Sequence, residues 1–537
     1  MKKTMKRHSF ISRLASLAVV CGLTLAFASC VNDDLAQNGK TTTDDKGLTA
    51  FSTGEPATRT TMEADGKFYW EAGDKIWVKD DSGNWKQSSN SPAGKTASFK
   101  FLMPGKYTAK SSYEVYYPGK NGNQDKVKIS DKQKQTEPNT TAHFGASGDC
   151  GIAKATRNAT SHEFEFALDH KAAYLVFKPY TSNDVLKYCY LTKIEVTSDN
   201  DIADTYTLDP TAETNTGALT GTGSGKKIEL ITRGNLGSTY QNGFPLTNTS
   251  ASLTTNGAYM VIKPGTHTLR IRYWVKDVAT QIEGTITKII PSHTFAKNEY
   301  VNMEADLQIK NYDGDHYYMW DAEKQYWEGY EWTKHLSGNT GQPTLRGRYS
   351  LNYAKSNSDV SRWYNENYPG YGVSNPATHT SCKDLPNANE MSWYAMYGDP
   401  RWDADELWTT MGHLYKGGMW FKKKSVLLAE GNYDTEKSAD NTTDLRTTYK
   451  NYNNINSSIN NSSLPSAADA NKYFYLPALG YYDSGQLLSV GGDGYYWSSS
   501  AYPWGSLFAY SLRFSHAYVN VYSGGRRYRG FRVEALQ

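Results

Sequence analysis

The feature that most narrows the fold is a period-two rhythm. Phe164, Phe166 and Leu168 alternate, Asp169-His170-Lys171 interrupts them, and Ala173, Leu175 and Phe177 resume the spacing. Alternation at period two puts successive side chains on opposite faces of an extended chain, so the segment reads as a half-buried antiparallel pair. The rhythm recurs after Lys263-Pro264-Gly265 in Leu269, Ile271 and Tyr273. Phe68–Trp70 and Ile76–Val78 flank a Gly73-Asp74 turn, and Tyr113–Tyr117 stops at Pro118-Gly119. Aromatic residues at 13% and charged residues at 21% favour ordered β-rich domains over disorder. A length of 537 residues exceeds what one core serves, so two or three domains are expected.

The N-terminus speaks to compartment. Met1–Arg13 is basic and Leu14–Ala28 is apolar, too short and too early for a stable bilayer span, so it reads as a secretory signal. It runs into Phe27-Ala28-Ser29-Cys30, which resembles the lipobox of bacterial lipoproteins. That resemblance implies a lipid on Cys30, which would be the first residue of the mature chain. Asp33 and Asp34 resemble the signal that sends such proteins to the outer leaflet, and Gln37–Lys46 reads as a polar tether. Removing residues 1–29, with Lys2, Lys3, Lys6, Arg7 and Arg13, takes the formal charge from +3 to −2. No basic field for nucleic acid survives. Of the five cysteines, Cys150, Cys189 and Cys382 remain, with no metal-ligand spacing. They read as buried thiols, and a Cys150–Cys189 bridge stays open in an oxidising compartment.

Between about 50 and 310, several motifs occur in a suggestive order. Thr58-Arg59-Thr60 comes first, then Trp70…Gly73-Asp74-Lys75-Ile76, Tyr116-Tyr117-Pro118 and Leu168…His170…Ala173. Together they resemble the fimbrillin family, which implies two consecutive β-sandwiches in a surface lipoprotein or pilus subunit. In the pilin branch a protease cuts after an arginine near the first strand, and the freed groove accepts a strand from the next subunit. Arg59 takes the matching position for that cut, although an arginine between two threonines is more often a plain exposed strand residue. His170, between two apolar strands, reads as a satisfied turn or core histidine. Glu137-Pro138-Asn139 matches a sugar-selecting tripeptide but lacks the strand that completes such a site, and it is read as coincidence.

Composition shifts at Asn311-Tyr312-Asp313-Gly314-Asp315, and Trp320, Trp327 and Trp332 follow. Two helices are expected. Asn387 with Glu390 forms a capping box ahead of Met391, Tyr394 and Ala395. Asp403 with Glu406 repeats it ahead of Leu407, Met411 and Leu414, ending at Gly417-Gly418. Asp399, Asp403, Asp405 and Glu406 do not supply the six oxygens of a calcium loop. Farther on, Tyr495-Tyr496-Trp497-Ser498-Ser499-Ser500, Leu512 with Phe514, and Gly530-Phe531-Arg532-Val533 read as short strands.

This C-terminal pattern resembles the bacterial branch of the C-type-lectin-like superfamily, including a Fibrobacter-type paralogous module and receptor-binding proteins diversified by retroelements. Such diversification turns AAY codons into NNY codons, which never encode Lys, Gln, Glu, Met or Trp. From Ser498 to Gly530 the first four are absent and Trp504 is the sole Trp. Ser506, Leu507, Phe508, His516, Tyr518, Tyr522, Ser523, Gly524, Arg526, Arg527 and Arg529 fit NNY codons. They interleave with framework residues Tyr510, Leu512, Phe514, Val519 and Val521. Tyr, Arg, Ser and Gly are also the side chains of recognition surfaces, so these positions other than Gly524 are the expected ligand-binding set.

The expected chain is therefore mostly β, tandem fimbrillin-like β-sandwiches followed by an α+β C-type-lectin-like domain. Its expected parts are a signal peptide (1–29), a tether (30–49), sandwiches at 50–180 and 181–310, and a binding domain at 311–537. The expected role is an outer-membrane, lipid-anchored surface adhesin, placed at a pilus tip or left unpolymerised. Expected partners are a host or bacterial surface glycan or protein and other pilus subunits, with no cofactor and no metal. The alternative is a structural fimbrial subunit or anchor. Formylglycine-generating enzymes share the lectin-like fold, but their late reactive cysteines are missing after Cys382, and no Ser-His-Asp order, zinc motif or phosphate loop occurs. Catalysis is not expected.

Overall fold

The structure is a computed structural model. It describes residues 47–53, 61–62, 68–212, 214, 216–312, 316–330, 351–367, 377–456, 459 and 464–537. Thr49–Gln537 is one compact unit. The chain is mostly β. Among the described residues no helix is long and apolar enough to cross a membrane.

An eight-stranded sheet comes first, centred on Ser112–Tyr117, Gly151–Arg157 and Phe164–Phe166. Its core is aromatic. Trp70 meets Phe101 and Tyr117 edge-on at 5.0 and 5.5 Å, and Phe51 stacks on Phe164 at 4.8 Å. The Gly73 turn, at φ 82°, is locked by Asp74, whose carboxylate accepts the Glu71 amide (2.7 Å) and the Tyr117 hydroxyl (2.9 Å). Strand Leu48–Thr53 runs parallel to Phe164–Phe166, pairing Phe51 with Phe164, and its other neighbour is Lys100–Pro104.

The two alternating stretches around His170 both form strands, but not with each other. Phe164–Phe166 stays in the first sheet, whereas Ala173–Tyr180 pairs antiparallel to Ala258–Ile262 and parallel to Tyr300–Asp306. Asp169-His170-Lys171 is thus a step between sheets, not a hairpin turn. Residues 173–177 are all buried, so this strand is covered on both faces. Alternation identifies a strand; its partner is set by what the rest of the chain can bury. Strands from either side of residue 180 also share sheets, since Lys126–Ile129 pairs with Asp204–Leu208 and Lys132–Lys134 with Lys227–Ile231. The second core lies between the three-stranded sheet around Ala173–Tyr180 and a nine-stranded sheet built on the hairpin Gly265–Lys276 and Glu283–Phe295. Cys150, Cys189 and Cys382 are buried free thiols.

The helix expected after Asn387 is present as Ala388–Tyr397. Asn387 Oδ1 accepts the Glu390 amide at 3.0 Å, and Glu390 Oε2 accepts the Asn387 amide at 2.8 Å. The second expected helix is absent. Residues 401–422 form an antiparallel hairpin, Arg401–Thr410 with His413–Lys422, turning on Met411 (φ 50°) and Gly412 (φ 77°). The i, i+4, i+7 spacing of Leu407, Met411 and Leu414 suggested a helix. A two-residue turn ending in Gly after Thr409-Thr410 is a hairpin signal, and the tertiary partners decide for it. Tyr473–Pro477 pairs with its second strand, while its first meets Glu283–Phe295 at Thr285↔Glu406, so the hairpin extends the nine-stranded sheet.

Charges knit that junction. Arg272 Nη2 donates to Asp403 Oδ1 (2.7 Å) and Thr285 Oγ1 (2.8 Å), and Trp420 Nε1 donates to Asp403 Oδ2 (3.1 Å). Glu406 accepts from the Thr285 and Thr287 hydroxyls (3.0 and 2.7 Å) and from the Thr287 amide (3.0 Å). Burial and the neighbouring Asp403 carboxylate raise the Glu406 carboxyl to about 7. A cleft of about 270 Å³ opens beside it, lined in part by Lys288, Gln308, Lys310 and Gln537.

Candidate functional site

The C-terminal head is a six-stranded sheet in the order Tyr317–Tyr318, Phe531–Arg532, Asp493–Ala501, Phe508–Ser515, Tyr518–Arg526, Tyr452–Asn454. Phe531–Arg532 lies between Tyr317–Tyr318 and Asp493–Ala501, so the beginning and end of the head are tied together. One face of this sheet carries Tyr496, Leu512, Phe514, Val519 and Val521 into a core shared with Met391 and Tyr394 of the helix. Tyr510, Leu512, Phe514 and Val519 are fully buried. By alternation, Tyr495, Arg513, Tyr518, Asn520 and Tyr522 point to the opposite face.

The expected ligand-binding residues fall into separate groups. Phe508 pairs with Arg526 at one end of the hairpin Phe508–Ser515 and Tyr518–Arg526, and Ser506 and Leu507 project from the adjoining turn. Leu507 and Trp504 are 49% and 48% exposed. Tyr449, from another loop, lies 6.3 Å from Trp504, ring to ring. Ser523 is half-buried and near this end, and Arg526 is exposed with its guanidinium donating to the Tyr528 hydroxyl. His516 is exposed at the opposite turn, an eight-residue strand or ~25 Å away, near Trp402. Tyr518 and Tyr522 are half-buried on the open face between these ends. Arg529 is half-buried on the same side, its Nε donating to Asp483 Oδ2 at 2.8 Å with the guanidinium over Tyr481.

Arg527 is a correction. It is 0% exposed and stacks on Trp320, 4.4 Å from the ring centre. Its Nε donates to Phe508 O, and its Nη1 donates to Asn365 O and Asn367 O, each at 3.0 Å. A run of arginines in a Tyr-rich loop reads as solvated, but here one of them folds under to tie the hairpin end to the 365–367 loop. It supports the surface without being on it.

Sequence reasoning overlooked Arg513, Tyr495, Asn520, Trp504 and Tyr449. Arg513 was legible, since it lies between Leu512 and Phe514 and must face away from their side. Tyr449 was not, because nothing local ties it to Trp504. Cys30 and Arg59 lie outside the described residues.

His170 Nδ1 is 2.8 Å from Asp149 Oδ1, which also accepts the Tyr174 hydroxyl at 2.6 Å, and all three are buried. Burial pushes the adjacent Cys150 thiol well above its ordinary value, so it is no ready nucleophile. Among the described residues no group of three or more His, Cys, Asp or Glu side chains is placed to hold a metal ion.

No family model matches the chain, and no curated protein matches it. Solved structures do. A candidate cell adhesion protein from Bacteroides ovatus is 11% identical over 49% of this chain and 93% of its own, with a TM-score of 0.29. The fimbrial anchor protein Mfa2 from Porphyromonas gingivalis is 12% identical over 45% and 82%, with a TM-score of 0.21. A fimbrial assembly protein from Parabacteroides distasonis is 10% identical over 48% and 90%, with a TM-score of 0.23. Similarity at these levels assigns no family.

Proposed function

We propose that this chain is a cell-surface adhesin of fimbrial type, lipid-anchored through Cys30, whose two β-sandwich bodies carry a lectin-like, non-enzymatic binding head. The observation that carries the reading is the division of labour in the head's sheet. One face is packed rigidly against the Ala388–Tyr397 helix, while the other face and one hairpin end present Tyr518, Tyr522, Trp504, Leu507 and Arg526. Tyr and Trp, with two side-chain torsions each, lose little entropy on binding, and together with Arg they dominate recognition surfaces. The ligand is a surface glycan or protein. The neighbours' own descriptions, cell adhesion and fimbrial assembly, agree with this reading but do not carry it.

A place at a fimbrial tip fits two features. Phe531–Arg532 is paired on both edges inside the head and is not free to donate itself to another subunit. Strand Leu48–Thr53 holds an interior position in the first sheet, and Arg59 follows it closely in sequence. A cut at Arg59 that released this strand would open a groove for another subunit's strand.

The test is adherence of cells displaying the full chain. Replacing Leu507, Phe508 and Arg526 together with Ala is expected to abolish adherence while the purified protein keeps its melting temperature within about 3 °C. Unchanged adherence would remove the binding head and leave a structural subunit.

A further inference from the structure

Arg513 stands on the middle strand of the head's open face, opposite Tyr495 on one side and Asn520 on the other. Its guanidinium carbon lies 5.0, 5.1 and 5.6 Å from the ring centres of Tyr518, Tyr495 and Tyr522. Elsewhere in the head, Arg362, Arg401, Arg446, Arg529 and Arg532 each reach a carboxylate. Among the described residues Arg513 forms no salt bridge, and its Nε has no hydrogen-bond partner. The polar atoms around it are also unsatisfied. Arg513 Nε, Asn520 Oδ1 and Ser511 Oγ are buried with no hydrogen-bond partner among the described residues, and Ser511 is 0% exposed. A guanidinium half-withdrawn from water and ion-paired with no carboxylate, above unpaired polar atoms, costs a fold stability, and its natural complement is an anion.

The rim narrows the kind of anion. Burial raises the Tyr495 and Tyr518 phenols above their ordinary value, so both remain protonated donors at neutral pH. Tyr518 donates to Asp493 Oδ1 at 3.4 Å, which places a hydroxyl acceptor at the edge of the patch. Tyr481, 4.6 Å from Tyr495, continues the aromatic floor toward Arg529. Flat phenol rings, one amide and one carboxylate around an unpaired guanidinium suit a carbohydrate ring with a carboxylate substituent. The Arg513 strand has both edges paired, leaving no edge for an extended acidic peptide to add to.

We propose that this patch binds an acidic sugar of the uronic acid class, with Arg513 taking the carboxylate through its forked N–H donors and Tyr518 and Tyr522 lying against the ring. The proposal rests on the reading of this domain as a binding head and names the ligand class of that same face. Planar bidentate pairing and ring stacking belong to Arg and not to Lys.

Calorimetry on the purified full chain, with oligogalacturonate and oligomannuronate as probes, tests it. At least one probe is expected to bind, and its methyl-esterified counterpart is expected to bind about tenfold more weakly or worse. Arg513→Gln and Arg513→Lys should each lose about tenfold or more in affinity. Arg513→Lys keeps the charge, so it serves as the readout should the Gln variant unfold. Equal binding of acid and ester, binding indifferent to both substitutions, equal binding of polyglutamate, or no binding of either probe would overturn the proposal. The Leu507/Phe508/Arg526 variant separates the two ideas. If it abolishes adherence while Arg513→Gln and esterification have no effect, the head still binds and only the uronic acid assignment is lost. If neither variant alters adherence, both are lost.

Discussion

Arg527 and Arg513 show how little the residue type alone says about an arginine near a surface. Arg527 is buried, stacked on Trp320 and bonded to three backbone carbonyls. Arg513 is half-exposed and ringed by tyrosines. Removing the first strands buried acceptors, so Arg527→Ala is expected to destabilise the protein by about 3 kcal/mol, read from the urea or thermal unfolding midpoint. A change under about 0.5 kcal/mol would mean the 365–367 loop does not depend on it. In the sequence Arg513 lies between Leu512 and Phe514, and Arg527 lies between Arg526 and Tyr528. Strand alternation distinguishes Arg513, but only the path of a distant loop distinguishes Arg527.

Among the elements, the instructive pair is one helix that formed and one that did not. The Asn387/Glu390 box caps a real helix because its apolar residues have a sheet to cover. The Asp403/Glu406 pair imitates the same signal, yet its side chains are committed elsewhere, to Arg272, Trp420, Thr285 and Thr287. The hairpin depends on a turn with two positive φ values, Met411 and Gly412. A Cβ on Gly412 would meet no atom within 4 Å, so Gly412→Ala isolates the backbone cost. A loss of about 1 kcal/mol is expected in equilibrium unfolding. No loss would show that the turn relaxes to another type at no cost.

In the whole molecule, the head is joined to the body by a continued sheet and a half-buried carboxyl. Glu406 is raised to about 7 by burial, ahead of the neighbouring Asp403 charge, against an ordinary 4.5. Its protonated form is favoured in the folded state, so its contribution is complete below pH 4.5 and is lost as pH rises through about 7. Between these values wild type should lose roughly 1–2 kcal/mol relative to Glu406→Gln, the cleft beside it allowing water to screen part of the shift. Melting temperatures of both proteins from pH 4.5 to 8 provide the check. Parallel curves would show that Glu406 does not titrate in this window.

Local patterning was enough to establish much of this protein. The mostly β class, individual strands such as Gly265–Lys276, the capped helix at Ala388–Tyr397 and the inward face of Leu512 and Phe514 all follow from periodicity and caps. These properties depend on a residue and its near neighbours. Which strands pair across the His170 step, whether 401–422 is helix or hairpin, and which arginine lies beneath the surface were decided only in three dimensions. Each of those outcomes turns on burial against, or bonding to, chain remote in sequence, and no local spacing records that partner.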